Sequence, residues 1–299
     1  MKILISGASG FIGRALISHL RKEHQVLVLV RDPSKVVEGK TVFWDVEQGI
    51  IETDEGIDAI INLAGEGIFS GRWTKKKKEA ILSSRLKATN LLVQFALSSN
   101  KPLSVLINAS AVGFYGTHPS QLVTEESSNG EGFLADVCEQ WEKATLPLQQ
   151  RAVRTALLRF GAVLGKGGGV LQKMLLPFKL SLGTILGDGS QWMSWIALDD
   201  LVRAIEHVLK TPSLDGPINV VSPYPVSQRE FANTLAVELH RPLFFSIGKS
   251  IIILIFGQMG EELLLASQRV SPTKLQNSGF SFDYPTLKEA MHHIVSGSS

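Results

Sequence analysis

Lys2-Ile3-Leu4-Ile5-Ser6-Gly7-Ala8-Ser9-Gly10-Phe11-Ile12-Gly13 stands almost at the head of the chain, and its reading decides the fold. Lys2–Ser6 is a short aliphatic run that predicts a strand. From Phe11 to Glu23, Ile12, Ala15, Leu16 and Leu20 recur at helical spacing, which predicts a helix directly after the turn. The glycines between them are spaced Gly7-x-x-Gly10-x-x-Gly13. Gly7 allows a tight exit from the strand, Gly10 lets backbone approach a pyrophosphate, and Gly13 lets helix and strand pack closely. The free N–H groups of the helix start then face the phosphates, aided by the helix dipole. Gly7, Ser9, Gly10, Phe11, Ile12 and Gly13 are therefore expected to hold a dinucleotide.

The next strand is Gln25–Val30, followed by Arg31-Asp32-Pro33. A strand that serves NAD usually ends in a carboxylate, which takes the ribose hydroxyls. Here the tip is Val30 and the next side chain is Arg31, whose guanidinium suits a 2′-phosphate through paired charged hydrogen bonds. The expected cofactor is NADP rather than NAD. Asp32 offers an alternative, since one place on it could serve the 2′-hydroxyl; its other role is to start the turn at Pro33.

Further runs extend the pattern. Thr41–Trp44, Asp58–Leu63, Ser104–Ala109 and Thr155–Phe160 read as strands, several of them apolar on both faces, as in a sheet buried between helix layers. Thr74 to Ser99 is long enough for one helix or two, and begins with the solvated run Lys75–Lys78. The economical topology is α/β, a doubly wound parallel sheet of the Rossmann kind with a smaller C-terminal substrate lobe. Residues 1–165 are assigned to the nucleotide-binding domain, with 197–222 returning to it. Residues 166–299 form the C-terminal lobe, whose tail spans about 248–297. Within that lobe Lys166–Gly169 reads as a flexible loop and Ile251–Phe256 as a buried helix or an interface.

Composition narrows the partners. Among 299 residues, 30 basic and 28 acidic side chains leave a net charge of +2, so no electrostatic case exists for nucleic acid or a membrane surface. The lone cysteine, Cys138, forbids an intrachain disulfide, and the seven histidines show no metal-ligand spacing. No metal is expected. No segment reads as a secretory signal or a bilayer span, and a cytoplasmic setting is the expectation. Oligomeric state and substrate are not readable.

Longer motifs carry a resemblance. Ser6–Gly13 (SGASGFIG), Ile61–Gly65 (INLAG), Arg85–Leu92 (RLKATNLL), Asn108–Gly116 (NASAVGFYG) and Trp195–Leu201 (WIALDDL) resemble motifs of the extended short-chain dehydrogenases/reductases, the NAD-dependent epimerase/dehydratase superfamily. Trp141–Ala144, Arg159–Phe178, Gly187–Ile196 and the tail Glu262–Ala290 are similar to its atypical "epimerase family protein" branch, which carries a small C-terminal domain of unassigned function. The resemblance implies that Leu63 and Ala64 lie along the adenosine, that Arg85 reaches the dinucleotide and that Val163 contacts the nicotinamide end.

It also exposes a departure. The superfamily normally works through Tyr-x-x-x-Lys, in which lysine lowers the tyrosine pKa and tyrosinate exchanges a proton with substrate. Aligned on Trp141-Glu142, those places hold Leu134 and Cys138. Ser110 fits the family's hydrogen-bonding serine, and Tyr115 is a further candidate hydroxyl. The leading reading is an NADP(H)-binding oxidoreductase-like protein acting at a carbonyl or hydroxyl of a small molecule. A nucleotide-sugar-type epimerase and a catalytically silent NADP(H) sensor are the alternatives.

Overall fold

The computed structural model describes residues 1–69, 72–118 and 121–297. The first half runs β1 (Lys2–Ser6), α1 (Phe11–Leu20), β2 (Gln25–Val30), β3 (Thr41–Asp45), β4 (Ile50–Ile51), β5 (Ala59–Asn62), α2 (Lys75–Ser98) and β6 (Val105–Ala111). Next come β7 (Leu122–Val123), α3 (Phe133–Lys143), α4 (Leu146–Gln149) and β8 (Arg154–Phe160). The later half runs β9 (Ala162–Leu164), α5 (Gly169–Lys179), β10 (Thr184–Leu186), β11 (Trp192–Met193), β12 (Trp195–Ala197), α6 (Leu198–Lys210), β13 (Gly216–Val220), β14 (Val226–Ser227) and α7 (Gln228–Glu238). The tail adds β15 (Phe245–Ile247), α8 (Lys249–Phe256), β16 (Arg269–Val270), α9 (Thr273–Asn277) and α10 (Leu287–Ser296).

Eight strands form one sheet in the order β13-β8-β6-β5-β1-β2-β3-β4, parallel except at the β3–β4 edge. The chain winds outward from β1 in both directions, so the order reverses between β1 and β5. In an open parallel sheet that reversal leaves a crevice beyond the carboxyl ends of the strands, the usual ligand position. The buried runs explain why these strands sit in the middle. Ile3 and Ile5 of β1 face Leu16, Leu20 and Ile205 of α1 and α6, while Leu4 faces the opposite layer with Leu91 and Leu92 of α2. A strand apolar on both faces can only be satisfied between two helix layers.

A third core, built on Leu171, Phe178, Trp195, Phe231, Leu235 and Met291, holds the C-terminal lobe together. Two buried or capping carboxylates are among the ties that hold the tail to the core. Buried Asp200 accepts from the backbone N–H groups of Asp283 (2.8 Å) and Tyr284 (2.9 Å). Glu262 accepts from the backbone of Phe133 (3.1 Å) and Leu134 (2.9 Å), and so caps the start of α3, whose own N-cap residue is a glycine without a side chain to do it.

Two expectations change. Three glycines of 165–169 are tightly packed, while Gly167 faces open space: a Cβ on Gly168 would stand 2.2 Å from the Phe11 ring, one on Gly165 2.9 Å from it, and one on Gly169 2.6 Å from the Val163 carbonyl oxygen. They admit an aromatic ring instead of supplying a hinge. In α8 only Ile252 is buried, whereas Leu254 is 75% exposed, so of the two alternatives for Ile251–Phe256 the buried helix is set aside and the interface is not. Among the described residues, no helix is long and apolar enough to cross a membrane.

Candidate functional site

The crevice at the strand reversal is a cleft of about 960 Å³. That falls in the range of small-molecule and cofactor sites. Gly7, Ser9 and Gly10 form its floor together with Leu63 and Ala64, and Arg31 stands at the β2 side. The backbone needs glycine here. Gly7 has φ +71°, a left-handed value, and its Cβ would lie 2.5 Å from the Leu63 carbonyl oxygen. A Cβ on Gly13 would lie 2.4 Å from the Gly7 oxygen, so α1 can pack this close to β1 only without one. Gly10 is the N-cap of α1, lines the cleft and provides no side-chain cap, so the first-turn N–H groups have no side-chain partner from it. These features fit a dinucleotide pyrophosphate. Phe11, Ile12 and Gly13 contribute helix-start backbone but are not among the cleft walls: Phe11 packs on the 165–169 glycines and Ile12 on the core.

The two side chains after β2 both line the cleft, with different partners. Arg31 is exposed and lines the cleft. Asp32 caps the short helical turn Pro33–Lys35, accepting from the Ser34 backbone (3.0 Å) and the Ser34 hydroxyl (2.7 Å). Those hydrogen bonds, from the hydroxyl first and the backbone second, hold its carboxyl below the usual range. Its turn role is the one the structure displays. Lys35 and Lys87 add positive charge to the same walls, although Lys87 is paired with Glu47 at 2.5 Å.

Arg85 is engaged by backbone carbonyls beside the cleft. Its Nη1 donates to the carbonyls of Ile81 (2.8 Å) and Glu66 (3.0 Å), and its guanidinium lies 5.0 Å from the Trp141 ring centre. It braces the turn after β5, with its Cζ 3.1 Å from where a Gly65 Cβ would be, and is not itself a cleft wall. Val163 lies in β9 paired with Ile196 and packs on the core, again outside the cleft walls.

The sheet face beneath α3 holds the polar groups that sequence reasoning largely missed. Ser110, on β6, donates to Glu142 Oε1 at 2.7 Å. Arg159, on β8, grips both oxygens of the same carboxylate, Nε to Oε1 at 2.8 Å and Nη2 to Oε2 at 2.8 Å. Its Nη1 donates to the Tyr115 hydroxyl at 2.9 Å, and that hydroxyl donates to Asn219 Oδ1 at 2.7 Å. The Phe114 ring lies 3.5 Å from the guanidinium carbon. Both pairings of the Tyr115 hydroxyl are internal and the residue is fully buried; burial foremost raises its pKa. Ser110 is 2% exposed. Both hydroxyls are hydrogen-bonded within the Glu142–Arg159 network, Ser110 to Glu142 and Tyr115 to Arg159 and Asn219.

A second buried chain adjoins it. Ser6 donates to Asn62 (2.6 Å), Asn62 donates to Asn108 (2.7 Å) and to Thr89 (2.9 Å), and the Trp141 indole donates to Thr89 (2.9 Å). Asn62 Oδ1 also accepts from the Ala64 backbone at 3.2 Å, so this ladder shapes the cleft floor.

Leu134 and Cys138 lie together on the inner face of α3. Both stand against Gly113, where an added Cβ would be 3.3 Å from the Leu134 side chain and 3.8 Å from Cys138 Sγ. Burial pushes the Cys138 thiol up to about 11. At neutral pH it is a protonated, apolar-like group, not a nucleophile. Glu66 is bound to Lys77 at 2.6 Å, and that hydrogen bond holds its carboxyl low.

Comparison with known proteins agrees with this architecture. Residues 3–222 match the NAD dependent epimerase/dehydratase family, and residues 249–294 match a domain of unknown function, DUF1731. An epimerase family protein of Mycobacterium bovis is 38% identical over 298 residues, which cover 98% of this chain and 97% of the relative. The crystal structure of human epimerase family protein SDR39U1 (isoform 2) with NADPH superposes with a TM-score of 0.90 at 31% identity, covering 99% of both chains. A nucleoside-diphosphate sugar epimerase from Corynebacterium glutamicum gives 0.81 at 35% identity, over 99% of this chain and 58% of the other. With more than half its length matching that family and the DUF1731 tail following, the chain belongs to the NAD dependent epimerase/dehydratase family, on the branch of the epimerase family proteins.

Proposed function

We propose that this protein binds NADP(H) in the cleft beyond β1, β2 and β5 and is an oxidoreductase-like member of its family. The observation that carries the reading is Arg31 on the cleft wall, beside an Asp32 whose Oδ1 is engaged by Ser34 and whose Oδ2 is 3.6 Å from the Lys35 ammonium. A guanidinium on that wall favours a 2′-phosphate. The human relative solved with NADPH supports the same choice.

In this reading Gly7, Ser9, Gly10 and the backbone of Phe11, Ile12 and Gly13 hold the pyrophosphate. Leu63 and Ala64 lie along the adenosine. Arg85 braces the β5 turn, and Val163 supports the nicotinamide end from β9. The bound nicotinamide would supply hydride exchange with a carbonyl or hydroxyl carbon. Ser110 acts as a positioning residue for Glu142, and Tyr115 for Arg159. No tyrosinate takes part, because Leu134 and Cys138 stand where the family carries its dyad.

The same Leu134 and Cys138 favour a second reading, a silent NADP(H) sensor. Identifying the nucleotide that co-purifies, then screening carbonyl compounds for NADPH oxidation, separates the two. Co-purified NADP(H) with turnover on a carbonyl class supports the enzyme. Binding without turnover on any class supports the sensor, and a preference for NAD(H) contradicts both.

A further inference from the structure

We propose that His24, Glu206 and Glu23 form a binding site for a divalent transition-metal ion of the zinc type, at the turn joining α1 to β2. The site is remote from the cleft and independent of the cofactor reading. Glu23 and His24 lie in the turn, and Glu206 reaches them from α6, which packs on α1 through Leu16, Leu20, Ile205 and Val208. One donor atom from each of the three residues lies within 4.8 Å of the others.

A carboxylate cluster alone would mean little. The second observation is the imidazole. The His24 side chain is only 8% exposed and its Nε2, 4.0 Å from Glu206 Oε1, has no hydrogen-bond partner; its Nδ1 lies 3.5 Å from the N-terminal ammonium of Met1, a contact that a metal on Nε2 would displace because Nδ1 would then carry the proton. A buried polar nitrogen without a partner costs free energy, so a structure that keeps one aimed at a carboxylate leaves a ligand to be supplied.

Lys210 shows where a cation would sit. Its ammonium bridges Glu23 Oε2 and Glu206 Oε1, each at 2.8 Å. Its single charge offsets one of the two carboxylates and leaves His24 Nε2 without a hydrogen-bond partner. A metal ion accepts lone pairs from all three at once. Its ligands sit about 2.0–2.2 Å from the ion, so the donors must draw together by roughly an ångström, and the exposed Glu23 side chain and the long Lys210 stem can move to allow it. His19 Nε2 is 2.6 Å from Glu206 Oε2 and would fix the carboxylate from behind, the kind of hydrogen bond that orients metal-bound carboxylates. One imidazole nitrogen with carboxylate oxygens suits zinc, cobalt or nickel better than magnesium or calcium. The ion would clamp α1 and β2, the elements that carry the glycine loop and Arg31, onto α6. Spacing in the sequence gave no sign of it, because Glu206 comes from a distant helix.

Tag-free protein stripped with chelator and titrated with ZnCl2 tests the idea. We expect one zinc per chain and, with zinc at about a hundred times Kd, a melting temperature raised by several degrees. Magnesium at the same concentration should give no rise. His24→Ala and Glu206→Gln should each weaken zinc at least 30-fold, and Lys210→Met should tighten it about 10-fold by removing the competing ammonium. Absence of zinc binding to the wild-type chain overturns the proposal. So does unchanged affinity in both folded ligand variants, which would place zinc elsewhere on the surface, or weaker binding in Lys210→Met.

Discussion

The cleft at β1 and β2 and the sheet face beneath α3 are neighbours, yet they are built on opposite principles. The cleft is made of backbone and absent side chains: Gly7, Gly10 and Gly13 keep atoms out so that a ligand and a helix can come close. The face under α3 is made of polar side chains that satisfy one another. Ser110, Glu142, Arg159, Tyr115 and Asn219 close a hydrogen-bonded path among themselves and present little to solvent. The first region is prepared for something to arrive. In the second, the polar groups are already spent on one another.

The largest expected effect of breaking this contrast lies in the buried face. Arg159→Met removes the partner of both Glu142 oxygens and strands a buried carboxylate. Breaking a buried ion pair in this way costs about 3–5 kcal/mol. Chemical denaturation should show a loss of that size, while nucleotide affinity in the surviving folded fraction changes little. If the loss is below about 1 kcal/mol, the network is not the structural element described.

Gly13→Val should act the other way round. Its Cβ would clash with the backbone of Gly7 and Ala8, pushing α1 off β1 at a cost of about 1–3 kcal/mol and removing nucleotide binding altogether. Undiminished binding would show that the glycine loop does not hold the cofactor.

Ser110→Ala is milder. Glu142 keeps both contacts from Arg159, so the stability loss should be about 1 kcal/mol, with NADPH affinity within about twofold. Any turnover found in the carbonyl screen should persist at reduced rate, because the hydroxyl orients Glu142 and does not touch substrate. Complete loss of turnover with unchanged stability would make Ser110 a catalytic group after all.

The contrast also explains what could be read from sequence. The glycine loop, the strands and Arg31 are local: every residue that defines the turn lies within one short stretch, so spacing alone predicts its geometry. The fate of Asp32 was half legible, since Asp-Pro announces a turn, but its bonds to Ser34 needed coordinates. The buried face was not legible, because its members come from β6, α3, β8 and β13 and meet only after the sheet is assembled. A signal did exist. Arg159 in TALLRF and Asn219 in INVV are polar residues inside strands apolar on both faces, and a charge placed there must find a buried partner. Glu142 beside Trp141 was that partner. Tyr115 and Ser110 were singled out for their hydroxyls, whereas the structure uses those hydroxyls to fasten Arg159 and Glu142. The capping of α3 by Glu262 was hidden in the same way, by its distance along the chain.

The central claim is that Arg31 makes this an NADP(H) cleft, and isothermal titration calorimetry of wild-type and Arg31→Ala protein with NADPH and NADH tests it most directly. The account predicts that wild type prefers NADPH. It also predicts that the substitution weakens NADPH by about a hundredfold, the equivalent of a charged hydrogen-bond pair worth about 2–3 kcal/mol, while NADH changes less than threefold. Equal losses for the two nucleotides, or a wild-type preference for NADH, would contradict it.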